Sequence, residues 1–167
     1  LFSHCEAIPL DRARHVHSDR LEHGWCWRIP LPGRVSVGLV ARPDVLAARG
    51  ETPEEQFDAA FHQEPYLRTL APAARRVAPV MRYSNYQSTT LRGVGANWAL
   101  VGDAFGFIDP VFSSGLYLAM ASAQNLARAI LSRRPGALDR YARHHLRHLS
   151  NWRDAIGYFY DGRFFAL

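Results

Sequence analysis

The stretch from Trp98 to Leu131 constrains the fold more than any other part of the chain. It reads Trp-Ala-Leu-Val-Gly-Asp-Ala-Phe-Gly-Phe-Ile-Asp-Pro-Val-Phe-Ser-Ser-Gly and then becomes an apolar run. Trp98 to Val101 is short and apolar, as a buried strand is, and it stops at Gly102-Asp103. Pro110 forbids a continuing ladder, Ser113 and Ser114 suit a helix N-cap, and Leu116 to Leu131 is apolar or small on nearly every face. The expected order is therefore strand, glycine-rich turn, buried helix. The first turn of such a helix presents unpaired N–H groups and the positive end of the dipole, and Gly115 lets a ligand approach closely. An anion or an electron-rich ring edge is the natural guest. Each piece alone also fits a plain turn or a plain cap, so it is their combination that points to a ligand.

Upstream, three segments have strand character: His15 to Ser18, Gly24 to Leu31 and Arg34 to Ala41. Asp19-Arg20, Leu21-Glu22-His23 and the Pro32-Gly33 turn part them, which predicts an antiparallel meander. Trp25 and Trp27 then share one face of their strand, with Cys26 and Arg28 on the other. On residue chemistry alone they form a core aromatic pair. Thr52-Pro53-Glu54-Glu55 supplies an N-cap, a proline at N1 and acidic first-turn residues, predicting a helix over Pro53 to His62. A second helical stretch is expected around Tyr66 to Ala74, interrupted by Pro65 and Pro72. Arg75 to Ser88 reads as a mixed edge strand. Beyond Leu131, Arg133-Arg134-Pro135-Gly136 breaks the helix, and Ala137 to Asp161 forms a long amphipathic one that stops at Gly162.

All 20 basic residues are arginine, no lysine occurs, and the net charge is +5. The densest basic cluster, Arg140, Arg143, His144, His145, Arg147 and His148, lies in a helical pattern with apolar residues on one face. It reads as a solvated basic face, and no nucleic-acid motif accompanies it. Cys5 and Cys26 make no disulfide framework, and no Cys or Glu joins the histidines in a metal-ligand spacing, so solvated histidines and no metal are expected. No signal peptide or membrane-length apolar run occurs, which predicts a cytoplasmic protein. No Gly-x-Gly-x-x-Gly opens a helix; Gly93-Val94-Gly95 precedes an apolar run instead of following one.

Val-Gly-Asp-Ala-Phe-Gly-Phe-Ile-Asp-Pro-Val-Phe-Ser-Ser-Gly-Leu-Tyr-Leu-Ala resembles the second flavin-contact motif of FAD-dependent halogenases, relatives of the aromatic-hydroxylase flavoproteins. Trp25-Cys26-Trp27-Arg28-Ile29-Pro30 is similar to the Trp-x-Trp-x-Ile-Pro signature that separates these halogenases from most related monooxygenases. Arg82 to Tyr86 resembles the polar strand that precedes the flavin motif. Together the motifs cover roughly residues 1 to 131.

The resemblance implies an α+β arrangement within the α/β architecture of FAD-dependent aromatic hydroxylases, of the glutathione-reductase type, with the N-terminal dinucleotide unit missing. Residues 1–97 are then a substrate-side antiparallel sheet with a helical insertion, 98–133 the flavin and halide contact, and 134–167 the C-terminal helix. It also implies the chemistry: reduced FAD, supplied by a separate flavin reductase, reacts with oxygen, and the product oxidises chloride or bromide to hypohalous acid. A lysine holds the electrophilic halogen beside an electron-rich phenol, pyrrole or indole, free or tethered to a carrier protein. Flavin-contact residues by this match are Gly102, Asp103, Gly106, Asp109 and Pro110. Ser114 and Gly115 match the halide pair, and Trp25 and Trp27 a wall that shapes the substrate region. The family's lysine lies near the first strand-helix unit and has no counterpart here, so the chain alone is expected to be inactive. A flavin-dependent monooxygenase or reductase of the same superfamily, or a non-catalytic interaction domain, are the alternatives.

Overall fold

The computed structural model describes residues 1–165 and divides the chain into two units, Leu1–Ser84 and Asn85–Leu167. In the first, the alternating segments build β1 (Phe2–Glu6), β2 (His17–Leu21), β3 (Gly24–Leu31) and β4 (Arg34–Val40). The expected meander is present: β2, β3 and β4 pair antiparallel in sequence. β1 then pairs with β4 on the far side. The first expected strand is displaced, however, because Asp19 and Arg20 lie inside β2 instead of parting it from β3. Asp19 stands opposite Cys26 and turns its carboxylate onto Arg28, so a residue that reads as a turn former is held in the ladder.

The alternation sorts the side chains as expected. Cys26, Val37 and Leu39 face the same side as Arg28, where they pack with Phe57, Ala60, Phe61 and Leu67 in a single core. Burial of Phe57 or Leu39 to this extent contributes roughly 1.5–3 kcal/mol each. Arg28 is 1% exposed and remains charged there because its guanidinium is fully engaged. Nε and Nη2 donate to Asp19 at 2.7 and 3.1 Å, and Nη1 donates to the Pro9 carbonyl. On the other face Trp25 and Trp27 pack at 5.7 Å between ring centroids. Gly38 lies opposite Trp27, where a Cβ would sit 2.0 Å from the indole, so the close approach requires glycine.

The helices of this unit are α1 (Pro43–Ala47), α2 (Pro53–Gln63) and α3 (Pro65–Leu70), followed by β5 (Arg75–Arg76) beside β1. α2 begins in a capping box: Thr52 accepts from the Glu55 N–H, and Glu55 accepts from the Thr52 N–H. α3 starts at Pro65 instead of being interrupted by it, since proline suits the first helical position. It ends four residues short of the expected Ala74, because Pro72 drives Ala71 out of helical geometry, to φ −136°.

The second unit holds β6 (Ser88–Thr89), β7 (Gly106–Phe107), α4 (Gly115–Ser132) and α5 (Ala137–Tyr160). Three expectations are corrected here. Trp98 to Val101 is not a buried strand: among the described residues its only ladder contact is a bridge between Val94 and Ala99, and Trp98 and Val101 are exposed. Arg82 to Tyr86 lies outside any strand. The third concerns α4, which buries Leu118 and Ser122 but exposes Leu116, Met120, Ile130 and Leu131, because α5 covers only one of its faces.

α5 is amphipathic as expected, burying Tyr141, Ala142, His145, Leu149, Ile156 and Phe159, and Gly162 follows its end at φ +85°. His145 departs from the expected solvated histidines. It falls on the buried stripe, with its ring edge-on to Phe105 at 4.7 Å. No helix among the described residues is long and apolar enough to cross a membrane.

Candidate functional site

Both helices hold the Gly-Asp turn from behind. The Tyr141 hydroxyl on α5 donates to the Leu100 carbonyl at 2.7 Å. On α4, Ser122 Oγ accepts the Gly102 N–H at 2.9 Å and donates to the Ala119 carbonyl. Gly102 has φ +58°, and a Cβ there would stand 3.3 Å from Ala119, so both conformation and space select glycine. A single 3-10 turn over Gly102–Ala104 then leaves Asp103 exposed and drives Phe105 inward against Tyr141 and His145. Gly106 pairs with Thr89 and backs onto Leu149, whose Cδ1 a Cβ would meet at 2.8 Å.

Asp109 closes the turn. It is 3% exposed, and its Oδ1 accepts the Val111 N–H at 3.0 Å, capping a second 3-10 turn over Pro110–Phe112. Oδ2 accepts from the Tyr160 hydroxyl at 2.8 Å. Tyr86 faces the same carboxylate: burial, then the charge of Asp109 and a hydrogen bond to it, push its phenol up to about 12. Ser113 follows in the left-handed region at φ +52°, and Ser114 is the residue before α4. The expected serine cap is not made. Ser114 is buried and already near helical geometry at ψ −11°, whereas a capping side chain needs extended backbone to reach the first-turn N–H groups.

These turns enclose a cavity of about 120 Å³, lined by Asp103, Gly106, Phe107, Ile108, Asp109, Pro110, Ser113, Ser114, Gly115 and Leu118. It brings together every flavin and halide residue expected from the sequence except Gly102, which stands at the start of the turn. Pockets for drug-sized ligands run roughly 300–1,000 Å³, so this cavity fits an anion or the edge of a ring, not a whole dinucleotide. The residues fit FAD in that sense. A Cβ on Gly115 would meet only Phe107, at 4.0 Å, which leaves the helix start open to close approach. The Asp103 carboxylate is exposed and suits a ribityl hydroxyl. First-turn amides of α4 lack intrahelical acceptors and suit a negative charge.

Trp25 and Trp27 belong to the first unit. Trp25 is buried, and Trp27 donates from Nε1 to Ser36 Oγ at 3.3 Å and packs on Phe2 at 5.9 Å. Among the described residues no cluster of His, Cys, Asp and Glu is arranged to hold a metal. Sequence reasoning does not find Ser122, Tyr141, Tyr86 or Tyr160 as site residues. Tyr141 and Ser122 carry a signal, since a polar group on a buried helix stripe needs a partner. Tyr160 ends an aromatic run that reads as ordinary packing or as packing on the substrate region, and at 51 positions from Asp109 nothing in the sequence pairs the two.

A small-residue turn, a buried carboxylate and an open helix start surround one cavity, and the chain that carries them is similar to known flavoproteins. The chondrochloren halogenase CndH, described as an FAD-dependent halogenase from a myxobacterium, superposes with TM-score 0.79 at 27% identity, over 96% of this chain and 40% of that one. The flavin-dependent halogenase rdc2 of Metacordyceps chlamydosporia is 35% identical over 132 residues, 75% of this chain and 25% of that protein. The 1H-pyrrole-2-carbonyl-[peptidyl-carrier protein] chlorinase of Pseudomonas fluorescens is 31% identical over 110 residues, 65% of this chain and 24% of that protein. The tryptophan halogenase model matches residues 13–163, and the chain belongs to that family. It spans about a quarter of the length of these curated relatives.

Proposed function

We propose that this chain supplies the flavin-edge and halide-contact part of a flavin-dependent halogenase acting on a small electron-rich aromatic, a phenol, pyrrole or indole. The observation that carries the reading is the single cavity lined by Asp103, Asp109, Pro110, Ser114 and Gly115. Gly102 to Pro110 would hold FAD, with Asp103 accepting from a ribityl hydroxyl. When bound and reduced by a separate reductase, FAD supplies the oxidation of halide by oxygen. The chain's own part is to place chloride or bromide at the Ser114 and Gly115 amides, where helix polarity favours it, and to keep that anion away from the Asp103 carboxylate. Trp25 and Trp27, packed on each other with Trp27 seated on Gly38 of the next strand, shape a wall and move no proton. A carrier-tethered substrate is compatible with the similarity to the pyrrole-carrier chlorinase. No lysine occurs in this sequence, so the lysine that guides the halogen in the family is not provided by it, and the chain alone is inactive.

The test is a pair of variants in the full-length protein. Gly115 is the first residue of α4, so Gly115→Pro deletes one N–H donor there; because proline disfavours the near-helical backbone of Ser114, the helix content of the variant is read alongside by circular dichroism. Halide affinity falls while FAD affinity, held mainly by Gly102 to Pro110, falls less. Ser114→Ala leaves both unchanged, since the hydroxyl caps nothing. Unchanged halide dependence in Gly115→Pro, with the fold intact, overturns the anion site.

A further inference from the structure

We propose that Tyr160, at the end of α5, is a positioning residue for the halide-binding turn: its hydroxyl holds the Asp109 carboxylate out of the place an anion must take. This rests on the reading of the cavity given above. Asp109 lines that cavity together with Ser114 and Gly115, so a buried carboxylate shares a small space with the amides assigned to a negative ligand. Left to itself, the carboxylate would both repel the anion and compete with it for backbone donors.

The structure answers both problems through the partners of the two oxygens. Oδ1 is committed to the Val111 N–H at 3.0 Å, and Oδ2 to the Tyr160 hydroxyl at 2.8 Å, with Tyr86 facing the same group. Phenol donors spread the negative charge and fix the rotamer. Tyr160 is itself held by aromatic packing: its ring is edge-on to Phe159 at 5.7 Å, and Phe159 is edge-on to Phe112 at 5.8 Å, inside the second 3-10 turn. The end of a long helix is thus tied both to the carboxylate and to the turn that precedes Ser113 and Ser114. Tyr160→Phe removes one oxygen and leaves that packing in place. Oδ2 then loses its Tyr160 donor, and with Tyr86 as the remaining phenol the carboxylate is free to turn toward the amides of the α4 start that share the cavity.

The experiment uses the full-length protein that contains this chain, with bromide as the probe. Its dissociation constant is read from the bromide-dependent rise in melting temperature at constant ionic strength, with and without FAD. Tyr160→Phe is expected to weaken bromide binding about tenfold and to change the FAD dissociation constant less than twofold. Asp109→Asn keeps an oxygen for the Val111 N–H but removes the charge; read without FAD, because Asp109 belongs to the flavin turn, its bromide binding is expected not to weaken. In the Asp109→Asn background, Tyr160→Phe should add less than twofold. A merely structural tyrosine would weaken binding in both backgrounds, and that result overturns the proposal, as does an unchanged bromide constant in Tyr160→Phe. A parent protein that binds FAD but shows no response to bromide overturns the functional reading, and the role of Tyr160 with it.

Discussion

His145 lies in α5 with 1% of its surface exposed, edge-on to Phe105 and stacked on Tyr141 at 6.1 Å, and its Nε2 has no hydrogen-bond partner among the described residues. Burial first, and then the charges of His148 and His144, bring its pKa down to about 4. The unfolded chain takes up this proton near pH 6.5, so acidification stabilises the unfolded state before the folded one can respond. Stability is complete above pH 6.5 and is lost as the pH falls toward 4. Between pH 7 and pH 5 the loss from this one group is about 2 kcal/mol, measurable as a shift in urea midpoint. His145→Leu should remove that share of the pH dependence; an identical shift in the variant would mean that other histidines carry it. The sequence shows three histidines in an arginine-rich stretch, which reads as a wet face. Which of them turns inward depends on where Phe105 lands, and that follows from the Gly102 turn, a tertiary fact. Asp103 and Asp109 mark the opposite limit. Both are legible as site residues, yet one is exposed and the other buried and fully engaged, because only Asp109 has Tyr160 folded back onto it.

Among the elements, α2 is the most legible, since proline, acid and cap all specify the same start. Thr52→Ala removes the side-chain half of the capping box and should cost ~1 kcal/mol, read as a lowered urea midpoint with unchanged slope. No change would mean that Glu55 alone, bonded to the Glu51 and Thr52 N–H groups, secures the helix start. β4 is nearly as clear, because turn residues precede an alternation of Val35, Val37 and Leu39 with Ser36 and Gly38. α1 carries the same proline and acidic signal at Pro43-Asp44 but spans only five residues, too few for a periodic pattern. Trp98 to Val101 misleads for a physical reason: apolar residues form a strand only when a neighbour offers a ladder, and among the described residues this run has a single bridge. α4 misleads in a related way. An all-round apolar pattern specifies a helix, but it cannot specify which faces are covered.

At the scale of the whole chain, charge and exposed apolar surface fall on the same two helices. Gly115 to Tyr160 holds seven arginines and two aspartates, so this hairpin carries the entire net charge of +5 and the remainder of the chain is neutral. Leu116, Met120, Ala123, Ala127, Ile130 and Leu131 recur at helical spacing as an exposed stripe on α4. A stripe of this kind promotes self-association, and two such hairpins meeting would bring like charges together. The two effects respond differently to salt. Screening lengths fall from about 10 Å at 0.1 M to about 3 Å at 1 M, while apolar burial does not weaken. The 167-residue chain should therefore be mostly monomeric at low salt and self-associate as salt is raised, seen as an increase in weight-average sedimentation coefficient. Replacing Leu116 and Met120 with Gln should suppress that increase without lowering the melting temperature, because neither side chain is buried. Association that instead dissolves on adding salt would identify arginine–carboxylate pairs as its cause and would exclude the α4 stripe.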